Sequence, residues 1–250
     1  HLAAWKAAGE SMTNPAKYAK NNLNGTINLI NACDRHNIKH FVFSSTASIY
    51  GIPQYLPMDE DHPTEPINYY GETKLQIEKN LAWFSKLKGI RFSALRYFNA
   101  AGYDVKGRIR GKERKPQNLI PIVMEVASGI RSGMEVFGND YGTHDGTGVR
   151  DYIHVNDLAR GHWKAMEYLQ ENDLDLIVNL ATGEGHSVLE VIQKAESVSA
   201  NKINYDVIGR RPGDPDTVLA TSNKAFALLK WKPEYSDLET LIRSAWEVYK

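Results

Sequence analysis

The chain has 250 residues, 42% of them hydrophobic and 24% charged, a balance that excludes collagen-like, mucin-like and disordered classes and allows one or two domains with full cores. Thirty Lys and Arg offset thirty Asp and Glu, so no overall field gathers nucleic acid or an anionic membrane. Cys33 is the only cysteine, no Cys/His spacing suits zinc, and no run of about 18 apolar residues can span a bilayer, so a cytoplasmic chain without a metal is expected.

The chain opens His1-Leu2-Ala3-Ala4, as though entered partway through a strand. Asn14-Pro15 reads as an N-cap and first helical position, and Leu23, Ile27 and Ile30 then recur on one face up to a stop at Asn37. Short apolar runs at 40–45, 91–98 and 176–182 predict strands buried on both faces. Between the first two, residues 69–88 predict a helix with Ile77, Leu81 and Phe84 inward and Gly89 as its stop. That β-α-β order implies an α/β fold with a doubly wound parallel sheet. The glycine- and charge-rich stretch 102–149 breaks the rhythm and predicts a second lobe, with 118–130 its one plausible helix. Asn156 then caps a helix carrying Leu158, His162, Ala165 and Leu169, which returns to the sheet. Ser187-Val188-Leu189-Glu190 and Ser236-Asp237-Leu238-Glu239 read as capping boxes that open amphipathic helices.

Tyr70-Gly71-Glu72-Thr73-Lys74 puts a phenol and an ammonium four residues apart on one helical face. The run Phe43-Ser44-Ser45-Thr46-Ala47-Ser48-Ile49-Tyr50-Gly51 ends a buried strand in hydroxyls, at the edge where parallel sheets place ligands. A phenol titrates near 10, so a tyrosine base at pH 7 needs ~4 kcal/mol of phenolate stabilisation, which a nearby cation supplies. An exposed tyrosine beside a Ser/Thr-rich turn accounts for the same spacing. Residues 106–115 hold six cations and one acid and read as a solvated loop. His154 and His162 read as packed or hydrogen-bonded rather than catalytic, and Gly142, Gly146 and Gly148 as turns.

HLAAWKAAGES, NNLNGT, FVFSSTASIYG, YYGETK, RYFNAAG, NLIP, VFGNDYGTHDGTGVRDYIHVNDLARGH and RRPGD follow one another as in the UDP-glucose 4-epimerases of the extended short-chain dehydrogenase/reductase superfamily, which the chain resembles over almost its whole length. The resemblance implies a Rossmann-type NAD-binding domain (residues 1–101 and 151–182), a smaller nucleotide-sugar-binding α/β lobe (102–150 and 183–250), and an active site in the cleft between lobes. It also implies tightly held NAD, reversible C4 epimerisation of UDP-glucose and UDP-galactose through a 4-keto sugar, and a homodimer formed through the helices at 14–37 and 69–88. Tyr70 matches the base, Lys74 the residue that binds the nicotinamide ribose and lowers the phenol's pKa, and Thr46 the hydroxyl that meets the sugar O4, with Ser45 its competitor. Tyr69 is set aside because four residues on stands Thr73 rather than lysine. Ala3, Ala4, Lys6 and Asn21 match cofactor contacts. Phe98, Asn99, Asn118 and Leu119 match sugar and diphosphate contacts, and Arg150, Arg211 and Asp214 match diphosphate and ribose clamps, although without the motif match ordinary surface salt bridging is the better account of such arginines.

Val218, seven residues after Arg211, falls where relatives place the group that gates the sugar's C2 substituent, so UDP-N-acetylhexosamines join the expected substrates. A UDP-glucuronate 4-epimerase stays open as an alternative. A 4,6-dehydratase is disfavoured, because Ala47-Ser48 stand where such relatives carry Asp-Glu. The superfamily's GxxGxxG turn is absent, and relatives carry it upstream of residue 1, so a piece of an active enzyme is expected; the alternative is a cofactor-free binding remnant.

Overall fold

The structure is a computed structural model that describes residues 1–211 and 213–250, leaving Pro212 of the RRPGD stretch outside the described residues. In chain order the elements are α1 (Ala8–Thr13), α2 (Pro15–Tyr18), a π-helical turn (Ala19–Asn24), α3 (Gly25–Arg35), β1 (His40–Ser44), a 3-10 turn (Ala47–Ile49), α4 (Tyr69–Lys88), β2 (Arg91–Tyr97) and β3 (Asn99–Ala101). There follow α5 (Leu119–Ala127), β4 (Met134–Phe137), β5 (Val149–Arg150), β6 (Tyr152–His154), α6 (Val155–Asn172), β7 (Leu176–Leu180), β8 (His186–Ser187) and α7 (Val188–Ser199). The chain closes with β9 (Tyr205–Ile208), β10 (Thr217–Val218), α8 (Asn223–Leu229) and α9 (Leu238–Tyr249). Among the described residues all strand pairs but the antiparallel β5–β8 are parallel, with helical connections, an α/β fold of Rossmann type. Two compact units form: His1–Phe98, Arg160–Leu180 and Thr221–Trp231 in one, Asn99–Ala159, Ala181–Ala220 and Lys232–Lys250 in the other.

The first unit is built on the parallel sheet β1-β2-β7, with Phe43 opposite Ala94 and Leu95 opposite Val178. His1 lies against β1, its amino group donating to Val42 O at 2.8 Å and its carbonyl accepting from Ser44 N at 3.2 Å. Phe41, Phe43, Phe92 and Ala94 on one sheet face pack with Ile30 of α3 and Ile77 and Leu81 of α4. Each large side chain in such a core contributes roughly 1.5–3 kcal/mol by burial. The Asn68 side chain caps α4 by accepting from Gly71 N, and Gly89 ends it at φ 64°, a left-handed conformation that suits glycine.

The helix expected from Asn14 to Asn37 is broken into α2, the π-helical turn and α3, preceded by the unexpected α1, and Asn14 makes no side-chain cap bond. Asn22 explains the wider turn. It points inward, accepts from Trp5 N and donates to Trp5 O, both at 2.9 Å, pinning the extended first residues to the helix.

In the second unit α5, α7 and α9 enclose Val123, Met124, Val191, Ile192, Leu241 and Ile242. Around them lie the three-stranded β10-β5-β8 and the parallel pairs β3–β6 and β4–β9, with β4 in the stretch that broke the sequence rhythm. The Ser187 capping box is present, both of its reciprocal bonds made. The second box is not: Asp237 caps α9 by accepting from Thr240 N, while Ser236 Oγ donates to the Asp157 carboxylate. Asn156 lies inside the first turn of α6 instead of capping it. His154 Nδ1 accepts from Asn156 N at 3.0 Å, so the imidazole stands where a cap side chain was expected.

Candidate active site

The end of β1 and the start of α4 bring hydroxyls, a phenol and an ammonium together. Gly71 permits this approach, because a Cβ there would stand 2.4 Å from the Ser48 carbonyl oxygen in the 3-10 turn. Thr46 caps that turn, its hydroxyl accepting from Ser48 N at 3.2 Å, and the same hydroxyl acts on the Tyr70 phenol, pulling its pKa downward. The Tyr70 amide in turn donates to Ser11 Oγ at 3.0 Å, which ties the first turn of α4 to α1.

Lys74 lies one turn on and is buried, 3% exposed. Its Nζ donates to the Ser44 carbonyl at 2.8 Å and stands 4.7 Å from the Phe43 ring centroid and 5.9 Å from that of Tyr70. Burial lowers the ammonium to about 8, against an upward pull from Glu78. Burial likewise pushes the Tyr70 phenol up to about 12, with Thr46 acting downward and the Tyr97 and Tyr18 phenols upward. The net shift is therefore opposite to the lowering expected from sequence. Desolvation outweighs an ammonium turned toward a backbone carbonyl.

Behind these groups lies a buried polar network. Ser45 Oγ donates to Glu78 Oε1, and Arg96 grips the same carboxylate through Nη2 to Oε2 at 2.7 Å and Nε to Oε1 at 3.2 Å. Arg96 Nη1 donates to the Tyr50 hydroxyl at 3.1 Å, which donates to Asn179 Oδ1 at 2.6 Å. Sequence reasoning passed over all four residues beyond Ser45. The signal was a charged residue in the apolar strand RFSALRYF and a carboxylate four residues past the lysine.

The other cofactor candidates sit along the first residues and the π-helical turn. Ala3 and Lys6 are exposed, Ala4 is half-buried, and Asn21 Nδ2 donates to Asn22 Oδ1 at 3.1 Å. The donor set around Lys74 suits a ribose: a buried ammonium that donates to one protein acceptor keeps two N–H groups for hydroxyl oxygens. NAD thus fits at the carboxyl ends of these parallel strands.

In the second unit the structure joins Arg150, Asp214 and Val218. Arg150 and Val218 are register partners on β5 and β10, and Arg150 Nη2 meets Asp214 Oδ1 at 2.6 Å. Its Nη1 donates to Val149 O at 2.8 Å, so the fork is held by backbone as well as by a carboxylate. The exposed Arg211 lies over the Phe137 ring, 3.7 Å from its centroid. Asn99 donates from Nδ2 to Asp151 O at 3.0 Å. Asn118 precedes α5 as an exposed residue with no side-chain cap bond, and Leu119 opens the helix half-buried. Phe98, also half-buried, closes the first stretch of the first unit. No cluster of His, Cys, Asp or Glu suited to a metal and no helix long and apolar enough to cross a membrane occurs among the described residues.

The profile of the NAD dependent epimerase/dehydratase family matches residues 1–181. The chain is 45% identical over 251 residues to a UDP-glucose 4-epimerase of Halalkalibacterium halodurans, covering 100% of this chain and 75% of that one. It superposes on the crystal structure of UDP-glucose 4-epimerase from Brucella ovis in complex with NAD with a TM-score of 0.97, at 42% identity over 100% of this chain and 77% of that one. It matches the Bifidobacterium longum UDP-glucose 4-epimerase, solved with NAD+ and UDP, with a TM-score of 0.93 at 40% identity, covering 99% and 74% of the two chains.

Proposed function

The chain belongs to the NAD dependent epimerase/dehydratase family, and on that premise we propose that it is an NAD-dependent enzyme that interconverts UDP-glucose and UDP-galactose by reversible epimerisation at C4. One observation carries the assignment of the site: the Tyr70 phenol, within electrostatic reach of the Thr46 hydroxyl and one turn from a buried ammonium, at the end of a parallel strand. Bound NAD supplies a reversible two-electron acceptor for the sugar's C4. Tyr70 takes the O4 proton on oxidation and returns it on reduction, and Thr46 holds that oxygen in line. Lys74 binds ribose hydroxyls with its spare N–H groups and favours the phenolate by charge, opposing the burial that raises the phenol. Ser45 is bonded to Glu78, which leaves Thr46 the better partner for the sugar.

Arg150, Arg211 and Asp214 anchor the UDP portion, with Phe98, Asn99, Asn118 and Leu119 lining sugar and diphosphate. Ala3, Ala4, Lys6 and Asn21 complete the cofactor contacts. Holding the nucleotide far from C4 lets the 4-keto sugar turn over without escaping, so the reduction that follows the oxidation reaches its other face. The first unit then serves NAD and the second the nucleotide sugar. The half-buried Val218 beside Arg150 favours a site that also admits UDP-N-acetylhexosamines. A homodimer, through the exposed faces of α3 and α4, and a cytoplasmic setting, in keeping with one free cysteine, complete the reading. Offering UDP-galactose, UDP-N-acetylgalactosamine and UDP-galacturonate in turn to the NAD-loaded protein tests it. The expected products are UDP-glucose and UDP-N-acetylglucosamine; turnover of the uronate alone would reject the reading.

A further inference from the structure

Tyr70, Lys74 and Glu78 stand one turn apart on α4, and each meets a different part of the run that ends β1: the Thr46 hydroxyl, the Ser44 carbonyl and the Ser45 hydroxyl. The first two belong to the proposed reaction. Glu78 does not touch it, yet its side chain is 4% exposed beside a 6% exposed Arg96. Buried ion pairs replaced by apolar side chains of similar volume are often as stable, so the need to satisfy Arg96 does not by itself explain a carboxylate here.

Resting on the epimerase reading, we propose that Glu78 is a positioning residue. Its carboxylate fixes Ser45, and with it the adjoining Thr46, and it is the counter-charge one helical turn from the Lys74 ammonium. The bond from Ser45 and the two bonds from Arg96 leave that carboxylate one orientation. Ser45 N is also held, donating to Leu95 O at 2.9 Å, so both ends of Ser45 are tied before the chain turns into Thr46.

The titratable and charged groups around Lys74 come from every neighbouring element. Tyr70 and Glu78 are on α4, the His1 amine lies beside β1, and Arg96 and Tyr97 are on β2. His162 on α6 meets Ser44 Oγ at 2.9 Å, and Glu60 lies beyond Arg96 and Tyr50. Glu78 is the group whose charge pulls the ammonium upward, against the burial that lowers it to about 8. At a separation of about one helical turn and an effective dielectric near 20, loss of that charge lowers the ammonium by about two further pH units, with Arg96 adding to the effect once unpaired.

The test follows the Lys74 ε-methylene by NMR across pH in the protein without cofactor, for the parent and Glu78→Gln. The expected midpoint is about 8 in the parent and about two units lower in the variant. In the NAD-loaded protein the alkaline limb of kcat for UDP-galactose should move down by the same amount while KM stays within about twofold, since the UDP anchors are untouched. Glu78→Gln leaves Arg96 without a counter-charge and can fail to fold, so Glu78→Gln/Arg96→Met is measured beside it, with a displacement in the same direction expected. A Lys74 midpoint equal to the parent's in either folded variant, or a turnover lost evenly at every pH, would overturn the proposal. A parent whose Lys74 titrates as stated but which leaves every UDP-sugar unchanged would overturn the epimerase reading instead.

Discussion

At the scale of single residues, the proposed site carries two groups that burial has pushed against their charged forms: Tyr70 up to about 12 and Lys74 down to about 8. Each charge favours the other, and burial outweighs that help while Nζ faces the Ser44 carbonyl. Tyr70→Phe keeps the ring and removes the proton acceptor, so turnover should fall by about 10³-fold or more with UDP binding by calorimetry nearly unchanged. Loss of turnover in Tyr69→Phe with Tyr70→Phe still active would move the site by one residue. Lys74→Met separates stability from function. The ammonium's folded pKa lies below the ordinary lysine value of 10.5, so the charged form is penalised at pH 7, and the parent's stability should rise as pH climbs from about 8 toward 10.5. Replacing it with Met removes that penalty but loses the bond to Ser44 O, for a net stabilisation of about 1–2 kcal/mol at pH 7. Urea unfolding should show a higher midpoint for Lys74→Met and no pH-dependent gain above pH 8, together with weaker NAD retention and a slower rate. A destabilised Lys74→Met would show that the ammonium pairs better than its burial indicates.

At the scale of elements, α4 does the positioning, and its sequence announced it. Gly89 stops it, and Ile77 and Leu81 face the core as the spacing predicts, while the Asn68 cap is a feature the structure adds. The Tyr70–Lys74 stripe was legible for the same reason, since a helix repeats its face every three or four residues. The break at Ala19–Asn24 was not legible, because it depends on Asn22 reaching Trp5, a contact between segments that no local pattern encodes. The true cap of α6 was missed for a similar reason: histidine is rarely a cap, and His154 becomes one only because Ser244 Oγ meets its other nitrogen at 3.1 Å. Arg96 and Glu78 were visible as odd charges but not as a pair, their contact joining β2 to α4 across 18 residues. Gly71 carries the element-level prediction. With the Ser48 carbonyl oxygen 2.4 Å from where its Cβ would be, Gly71→Ala must push the start of α4 off the 3-10 turn. The cost should be about 1–3 kcal/mol by urea unfolding. Turnover should fall by more than the folded fraction does, because Tyr70 shifts away from Thr46. Equal kcat per folded molecule would mean that α4 and the turn yield without moving the phenol.

At the scale of the whole molecule, zero formal charge leaves no long-range repulsion to keep copies apart, so exposed apolar side chains decide association. The first unit presents such a face. Trp83 and Leu87, four residues apart on α4, are 59% and 68% exposed, and Leu29 on the neighbouring α3 is 40% exposed. Leu23, Ile27, Gln76 and Trp83 line a groove between these helices, and in the proposed dimer that groove would take the matching ridge of a second copy. In a two-fold dimer every such residue is buried twice. At roughly 1.5–3 kcal/mol per large apolar side chain, Trp83 and Leu87 together contribute on the order of 5 kcal/mol to association, a factor of about 10³ or more in dissociation constant. Trp83→Glu/Leu87→Glu adds like-charge repulsion across the axis and should sediment as a monomer at micromolar concentration where the parent sediments as a dimer. Tyr70 and Lys74 lie in the opposite half of α4, so the monomer should keep most of its turnover per chain. A variant that still sediments as a dimer would place the self-association surface elsewhere, and a parent that is monomeric at the same concentration would remove the dimer from the proposed function.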